Sequence, residues 1–202
     1  MEQSNVKELP YGIQDFVTIA EQNIYYVDKT MYIPELEKQA RYLFFIRPRR
    51  FGKSIFLSML HAYYDCRTKD KFQQWFGNLW IGKHPTPTQG RYQVLHLDFS
   101  QVGGSIDKLE EKFNDYCNVA LNDFMDVYAD YYAEDIRADF YAAEDAGLKL
   151  NILGKKAQTL GHHLYLIIDE YDNFTNTVLN EQGEAVYPVS YTHLTLPTNR
   201  EV

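Results

Sequence analysis

The sequence predicts an α/β layered fold built on a parallel sheet. Three observations carry this. Tyr42–Ile46, Gln93–Asp98 and Leu164–Ile168 read as buried strands, the first continuous rather than alternating in hydrophobicity, as strands covered on both faces are. Helical stretches separate them, and that alternation joins parallel strands through crossovers. The 202 residues, 45% hydrophobic and 24% charged, suffice for one globular domain but not for two full-sized ones.

The elements follow in order. Leu9 to Tyr26 is an irregular lead-in with a short strand around Tyr25–Val27. Asp28 is placed to cap a helical segment through about Gln39, punctuated by Pro34. After the first strand, Lys53 to Tyr64 is a helix with apolar positions Ile55, Phe56, Met59 and Leu60. Phe72 to Ile81 is a short helix and turn, closed by Pro85 and Pro87. Ser105 opens a long helix whose stripe is Ile106, Leu109, Phe113, Cys117, Ala120, Phe124, Val127 and Tyr131. Helix continues from Glu134 to Ala146, with Gly147 as its stop. Leu148–Leu160 is a further helix, ended by Gly161, and leads into the third strand.

Composition narrows the function classes. With 17 Tyr, 12 Phe and 2 Trp the chain has ample material for a core, which excludes disorder. The longest apolar runs, Tyr42–Ile46 and Leu164–Ile168, are far shorter than the roughly 20 residues of a spanning helix. Met1–Pro10 is polar and carries no apolar signal segment. Cys66 and Cys117 lie far apart, outside any C-x-x-C pattern, and read as reduced thiols of a cytoplasmic protein. Net charge is −8, yet Ile106 to Asp145 holds 12 acids and 3 bases, so the rest is nearly neutral. Arg41 to Lys53 carries five positive charges and no acid. An acidic chain is a poor candidate for broad nucleic-acid binding. A short basic run beside an apolar strand suits a small polyanion such as a polyphosphate.

That run contains the first motif. Arg47-Pro48-Arg49-Arg50-Phe51-Gly52-Lys53-Ser54 follows a strand and opens a helix, where the Walker A pattern G-x-x-x-x-G-K-[ST] belongs, with Arg47 in place of the first glycine. Helix N-terminal amides and the macrodipole attract phosphate. Gly52 lets the backbone approach closely, Lys53 reaches the β- and γ-phosphates, and the Ser54 hydroxyl holds Mg²⁺. The bland alternative is a cationic loop before an ordinary helix. The second motif is Leu164-Tyr-Leu-Ile-Ile168-Asp169-Glu170, a Walker B arrangement. Asp169 would orient water on Mg²⁺, and Glu170 would act as general base on the attacking water. A solvated strand end is its bland counterpart; the pairing of both motifs at one kind of sheet edge favours ATP chemistry.

Leu9-Pro-Tyr-Gly-Ile-Gln-Asp-Phe16, Tyr25-Tyr-Val-Asp-Lys-Thr30, Phe44-Phe-Ile-Arg-Pro-Arg-Arg-Phe-Gly-Lys-Ser54 and Ile167-Ile-Asp-Glu-Tyr-Asp-Asn-Phe174 together resemble the bacterial AAA-ATPase-like family. The resemblance covers about Leu9 to Tyr187, and Arg at the first Walker A position belongs to that family's own pattern. It implies a P-loop NTPase-like three-layer sandwich with a mostly parallel sheet of order 5-1-4-3-2, here truncated after the Walker B strand. Strands four and five, sensor and arginine-finger residues, and a PD-(D/E)XK nuclease-like effector domain would then lie beyond Tyr187. Val189-Ser-Tyr-Thr-His-Leu-Thr-Leu-Pro-Thr198 resembles a translated transposase-type sequencing adapter, spelled by GTC TCT TAT ACA CAT CTG ACG CTG CCG ACG. The expected organisation is therefore residues 1–187 of a P-loop domain and a non-native tail at 188–202. A native strand and turn is the other reading of that tail.

Other residues keep two readings. Tyr25 and Tyr26 precede the loop where related ATPases seat adenine, so Tyr26 stacks on the base or simply packs the lead-in. His162-His163 alternate across a strand and do not suit a shared metal. Asp172 and Asn173 line the site or cap the next helix. The Tyr- and acid-rich stretch from Asp115 to Asp145 is a solvated helix face or a partner surface. Two function classes result: a Mg²⁺-dependent ATPase driving or gating an attached effector, and a nucleotide-responsive regulatory module with negligible turnover. A small-molecule kinase is a distant third, because an Asp-Glu pair serves water better than a substrate hydroxyl.

Overall fold

The computed structural model describes residues 7–39, 42–46, 51–102 and 108–171. Its elements run α1 (Phe16–Glu21), α2 (Ile33–Glu37), α3 (Lys53–Tyr64), α4 (Phe72–Phe76), α5 (Trp80–Lys83), β1 (Tyr92–Asp98), α6 (Leu109–Val127), α7 (Glu134–Ala142), α8 (Ala146–Leu160) and β2 (His163–Asp169). The architecture is mixed α/β, mostly helical, with β1 and β2 side by side in a small parallel sheet. These are the second and third strands of the sequence reading. The chain divides into two compact units: Met1–Leu95 with Gly154–Ile167, and His96–Leu153 with Ile168–Val202.

The first unit is organised around α3, whose bounds match the sequence expectation. Its inward face is Phe56, Met59, Leu60 and Tyr63, with Phe16, Ile33, Phe76, Ile81, Val94 and Ile167 in the same core. Aromatics give this core its geometry. Phe16 stacks on Phe76 with ring centres 4.9 Å apart, and Tyr63 meets Phe76 edge-on at 5.6 Å.

The lead-in is more regular than the sequence suggested, because Asp15 caps a helix there. One carboxylate oxygen of Asp15 accepts the Thr18 amide at 2.8 Å and the Thr18 hydroxyl at 2.7 Å. The other accepts the Ser58 hydroxyl at 2.8 Å, while Ser58 Oγ accepts the Phe16 amide at 3.0 Å, tying α1 to α3. Burial would raise the Asp15 carboxyl, but the hydrogen bonds from Thr18 and Ser58 outweigh it and hold the group below its usual value.

Three strand expectations need correction. Tyr25–Val27 is not a strand; the Tyr25 amide donates to the Glu8 carbonyl at 2.8 Å without a ladder. Tyr42–Ile46 is neither a strand nor buried, since Phe44 is 61% and Ile46 82% exposed. Its one inward anchor is Phe45, stacked on Phe56 at 5.0 Å. A strand exists through its partner, and among the described residues no strand pairs with 42–46. β2 does form, but it alternates: Ile167 and Asp169 are buried while Leu166 and Ile168 are exposed, so only one of its faces is covered.

In the second unit the expected stripe of the long helix holds at Leu109, Cys117 and Phe124 and departs toward its C-terminal end. Leu109, Cys117, Leu121, Phe124, Met125 and Tyr128 are buried, whereas Val127 and Tyr131 face outward. A stripe followed in steps of three and four drifts unless it tracks 3.6 residues per turn. Ser105 and Ile106 lie outside the described residues. Gly147 does not stop a helix; it sits in the first turn of α8. The break falls at Ala143–Asp145 instead, where Asp145 accepts the Leu148 amide at 2.8 Å as the new cap. A row of amides on α6 holds this junction. Asn114 accepts the Ala146 amide at 2.9 Å, Asn118 donates to the Glu144 carbonyl at 2.9 Å, and Asn122 accepts from the Lys149 ammonium at 2.7 Å. Residues four apart share a helix face. Lys149 is buried over the Phe140 ring, and burial pulls its ammonium below the usual lysine value.

Candidate functional site

Among the described helix starts, α3 is set apart by a left-handed N-cap residue. Gly52 occupies the N-cap position with φ +75° and ψ 27°, a left-handed conformation that glycine adopts without steric cost. Its carbonyl accepts the Phe56 amide at 3.1 Å, closing the first turn. No side chain caps this turn and no acid lies in it. In this it resembles α1, α4, α5 and α8, whose first turns also lack an acid, whereas α2 begins with Glu35, α6 with Glu110 and Glu111, and α7 with Glu134 and Asp135. A cation at a helix N-terminus opposes the macrodipole by about 0.3–1 kcal/mol. Lys53 as the first residue of α3 accepts that opposition, and a bound anion would reverse it. Lys53 and Ser54 are half-buried and Phe51 is exposed. Arg47, Pro48, Arg49 and Arg50 lie outside the described residues.

A second lysine reaches this glycine. The Lys29 ammonium lies 3.8 Å from where a β-carbon on Gly52 would be. The segment carrying it is clamped. Asp28 accepts the Thr30 amide at 2.8 Å and hydroxyl at 2.6 Å through one oxygen, and the Trp80 amide at 2.7 Å through the other. The Thr30 hydroxyl oxygen accepts the Ile81 amide at 3.1 Å. Asp28 and Thr30 thus tie the lead-in to α5. Linear sequence could not reveal this, because the partners lie about fifty residues downstream.

Tyr26 packs edge-on against Phe16 at 5.2 Å and is partly buried at the core's margin. Burial first, and the Asp28 charge second, push its phenol far above the usual value, so it stays neutral. Tyr25 is exposed.

At the other motif, β2 ends on Asp169, buried to 5% exposure. Glu170 then takes φ +53°, the left-handed region that a non-glycine residue enters at a cost of order 1 kcal/mol. The Glu170 amide donates to an Asp169 carboxylate oxygen at 2.8 Å, so the turn is closed by the acid itself. Glu170 remains half-buried. Gly52, Lys53 and Ser54 belong to the first compact unit, Asp169 and Glu170 to the second. Asp172 and Asn173 lie outside the described residues. Among the described residues no group of three or more His, Cys, Asp and Glu side chains could hold a metal ion, and His162 and His163 join no such cluster.

The small parallel sheet and the surrounding helices define a mixed α/β protein. Comparison with known proteins makes this specific: the sequence model of the AAA-ATPase-like family, described as a predicted AAA-ATPase, matches residues 10–194, and the chain belongs to that family. An uncharacterized protein in the vnfD 5′ region of Azotobacter chroococcum mcd 1 is 53% identical over 55 residues, 27% of this chain. The matched stretch spans 11% of that relative's length. No solved structure matches the chain. Family membership supports an ATP-related function and nucleotide binding. Among the described residues no helix is long and apolar enough to cross a membrane.

Proposed function

We propose that this protein binds Mg·ATP at the start of α3 and hydrolyses it to drive or gate an attached effector domain. The observation that carries the reading is the helix start, with Gly52 in a left-handed N-cap and Lys53 as first residue, in a chain of the AAA-ATPase-like family.

The residues present suit the nucleotide and its metal. The Gly52 turn and the amides of the first helical turn form an anion cradle, and Lys53 supplies a charge-assisted contact to the phosphates. Arg47, Pro48, Arg49, Arg50 and Phe51 would complete the loop. By their places in the two motifs, the Ser54 hydroxyl and the Asp169 carboxylate are the oxygen donors assigned to Mg²⁺, a cation that keeps several waters and needs few protein ligands. Bound Mg²⁺ neutralises charge developing on the phosphoryl oxygens. Glu170 takes the proton of the attacking water, and its left-handed backbone is the kind of strain that collects at functional turns. Tyr26 would border the base. The reading with negligible turnover differs from this one only in leaving Glu170 idle.

The test is a pair of substitutions in the full-length protein. Lys53→Ala lowers ATP affinity about ten- to hundredfold, because a charge-assisted hydrogen bond is worth roughly 1.5–3 kcal/mol. Glu170→Gln keeps ATP bound and abolishes phosphate release, since an amide cannot act as a base. Unchanged affinity in titration calorimetry for the first variant refutes the nucleotide site. Parental hydrolysis by the second reduces Glu170 to a strand-end acid.

A further inference from the structure

The geometry points to Lys29 as a second phosphate-binding lysine, placed against Gly52 to take the polyphosphate of a nucleoside triphosphate. The inference rests on the nucleotide reading of the α3 start and adds a residue that lies outside the Walker A motif.

Three observations support it. The first is position: the Lys29 ammonium is 3.8 Å from the site of a β-carbon on Gly52, the residue immediately before Lys53. That separation is ordinary contact and would admit a β-carbon, so it is the backbone angle of Gly52 that demands glycine. The approach of Lys29 is therefore an independent feature of the loop.

The second is the mount. Both residues flanking Lys29 are anchored, Asp28 to the Thr30 and Trp80 amides and the fully buried Thr30 to the Ile81 amide. A long lysine side chain normally loses rotamer freedom when it binds. Fixing its backbone on both sides lowers what remains to be ordered and aims the stem repeatedly at the same place.

The third is charge. Lys29 is half-buried, and among the described residues its ammonium makes neither an ion pair nor a hydrogen bond. It stands beside a helix whose first turn holds Lys53 and no acid. An ammonium beside a helix N-terminus opposes the macrodipole until an anion joins it. A compact ammonium on a flexible stem is a point charge suited to phosphate oxygens from several directions.

The experiment compares wild type, Lys29→Met, Lys29→Arg and Lys53→Ala in the full-length protein. ATP binding is titrated at low and moderate salt, with tripolyphosphate as a competitor lacking the base. Lys29→Met is expected to weaken both ATP and tripolyphosphate about tenfold and to flatten the salt dependence. Lys29→Arg restores most of the affinity, and the melting temperature of the unliganded Lys29→Met protein does not fall. If Lys29→Met binds both ligands as tightly as wild type while Lys53→Ala has lost them, the role of Lys29 is overturned and the nucleotide site stands. A fall in unliganded melting temperature that Lys29→Arg does not repair makes Lys29 structural and also overturns the inference. If wild type binds neither ATP nor tripolyphosphate, the nucleotide reading fails and this inference falls with it.

Discussion

Glu170 illustrates how much one residue's backbone conveys. Its φ of +53° opposes the preference of any side chain bearing a β-carbon, and nothing about a strand-end Asp-Glu pair in a sequence announces it. The strain makes a prediction separable from catalysis. Glu170→Gly relieves the left-handed conformation and raises stability by roughly 0.5–1 kcal/mol, measured by chemical denaturation, while phosphate release is lost. A glycine variant less stable than the parent means that the Glu170 side chain contributes more to folding than its backbone costs. At the loop, the same conformation falls on Gly52, where the sequence already supplies the residue that tolerates it. The two positions differ in that one is glycine by backbone necessity and the other keeps its carboxylate in spite of it.

At the scale of elements, capping residues decide where helices begin. Asp15 starts α1 and at the same time holds Ser58 on α3, so its loss affects two helices. Asp15→Ala is expected to cost about 0.5–2 kcal/mol. The carboxyl is held below its usual value of 3.8 in the folded protein. Its stabilising share is therefore complete at pH above that value and disappears as pH falls through the folded-state value. Denaturation curves of wild type and Asp15→Ala should differ at neutral pH and converge under acid; a gap that persists there shows that the Asp15 charge is not what stabilises α1. The junction of α7 and α8 follows the same rule. Asp145 supplies the cap, and the Asn114, Asn118 and Asn122 row on α6 takes up the neighbouring backbone and the Lys149 ammonium. The four-residue spacing of those asparagines was present in the sequence, but an acidic, tyrosine-rich stretch draws attention to charge rather than to amides. What the row grips became visible only once the chain had folded back.

For the whole molecule, the exposed apolar surface is the feature with consequences. Tyr42, Leu43, Phe44 and Ile46, together with Leu166 and Ile168 on β2, are each more than 40% exposed. Apolar side chains left in water favour association, and uncovered strand-like segments are places where it begins. Ile46 is 82% exposed and so contributes little to folding. Ile46→Lys should leave the unfolding free energy within about 0.5 kcal/mol of the parent and reduce light scattering of the chain at high concentration. A loss of several kcal/mol would place Ile46 in a core rather than on the surface.

Hydrophobic periodicity alone located α3, the two strands that pair, and the long helix α6, because those signals are local: an amphipathic face or an apolar run is written in consecutive residues. The motif pattern of Gly52, Lys53 and Ser54 and of Asp169 and Glu170 is likewise written in consecutive residues. Partners distant in the chain are not. Whether Tyr42–Ile46 becomes a strand depends on a neighbour to bond with. Which residues of α6 turn inward depends on the accumulated helical register against the packed elements. The clamp from Asp28 and Thr30 to α5, and the approach of Lys29 to Gly52, join positions separated by about fifty and by 23 residues of chain. Such contacts form because burial and hydrogen bonding outweigh the entropy of closing those loops, a balance that only the tertiary structure decides.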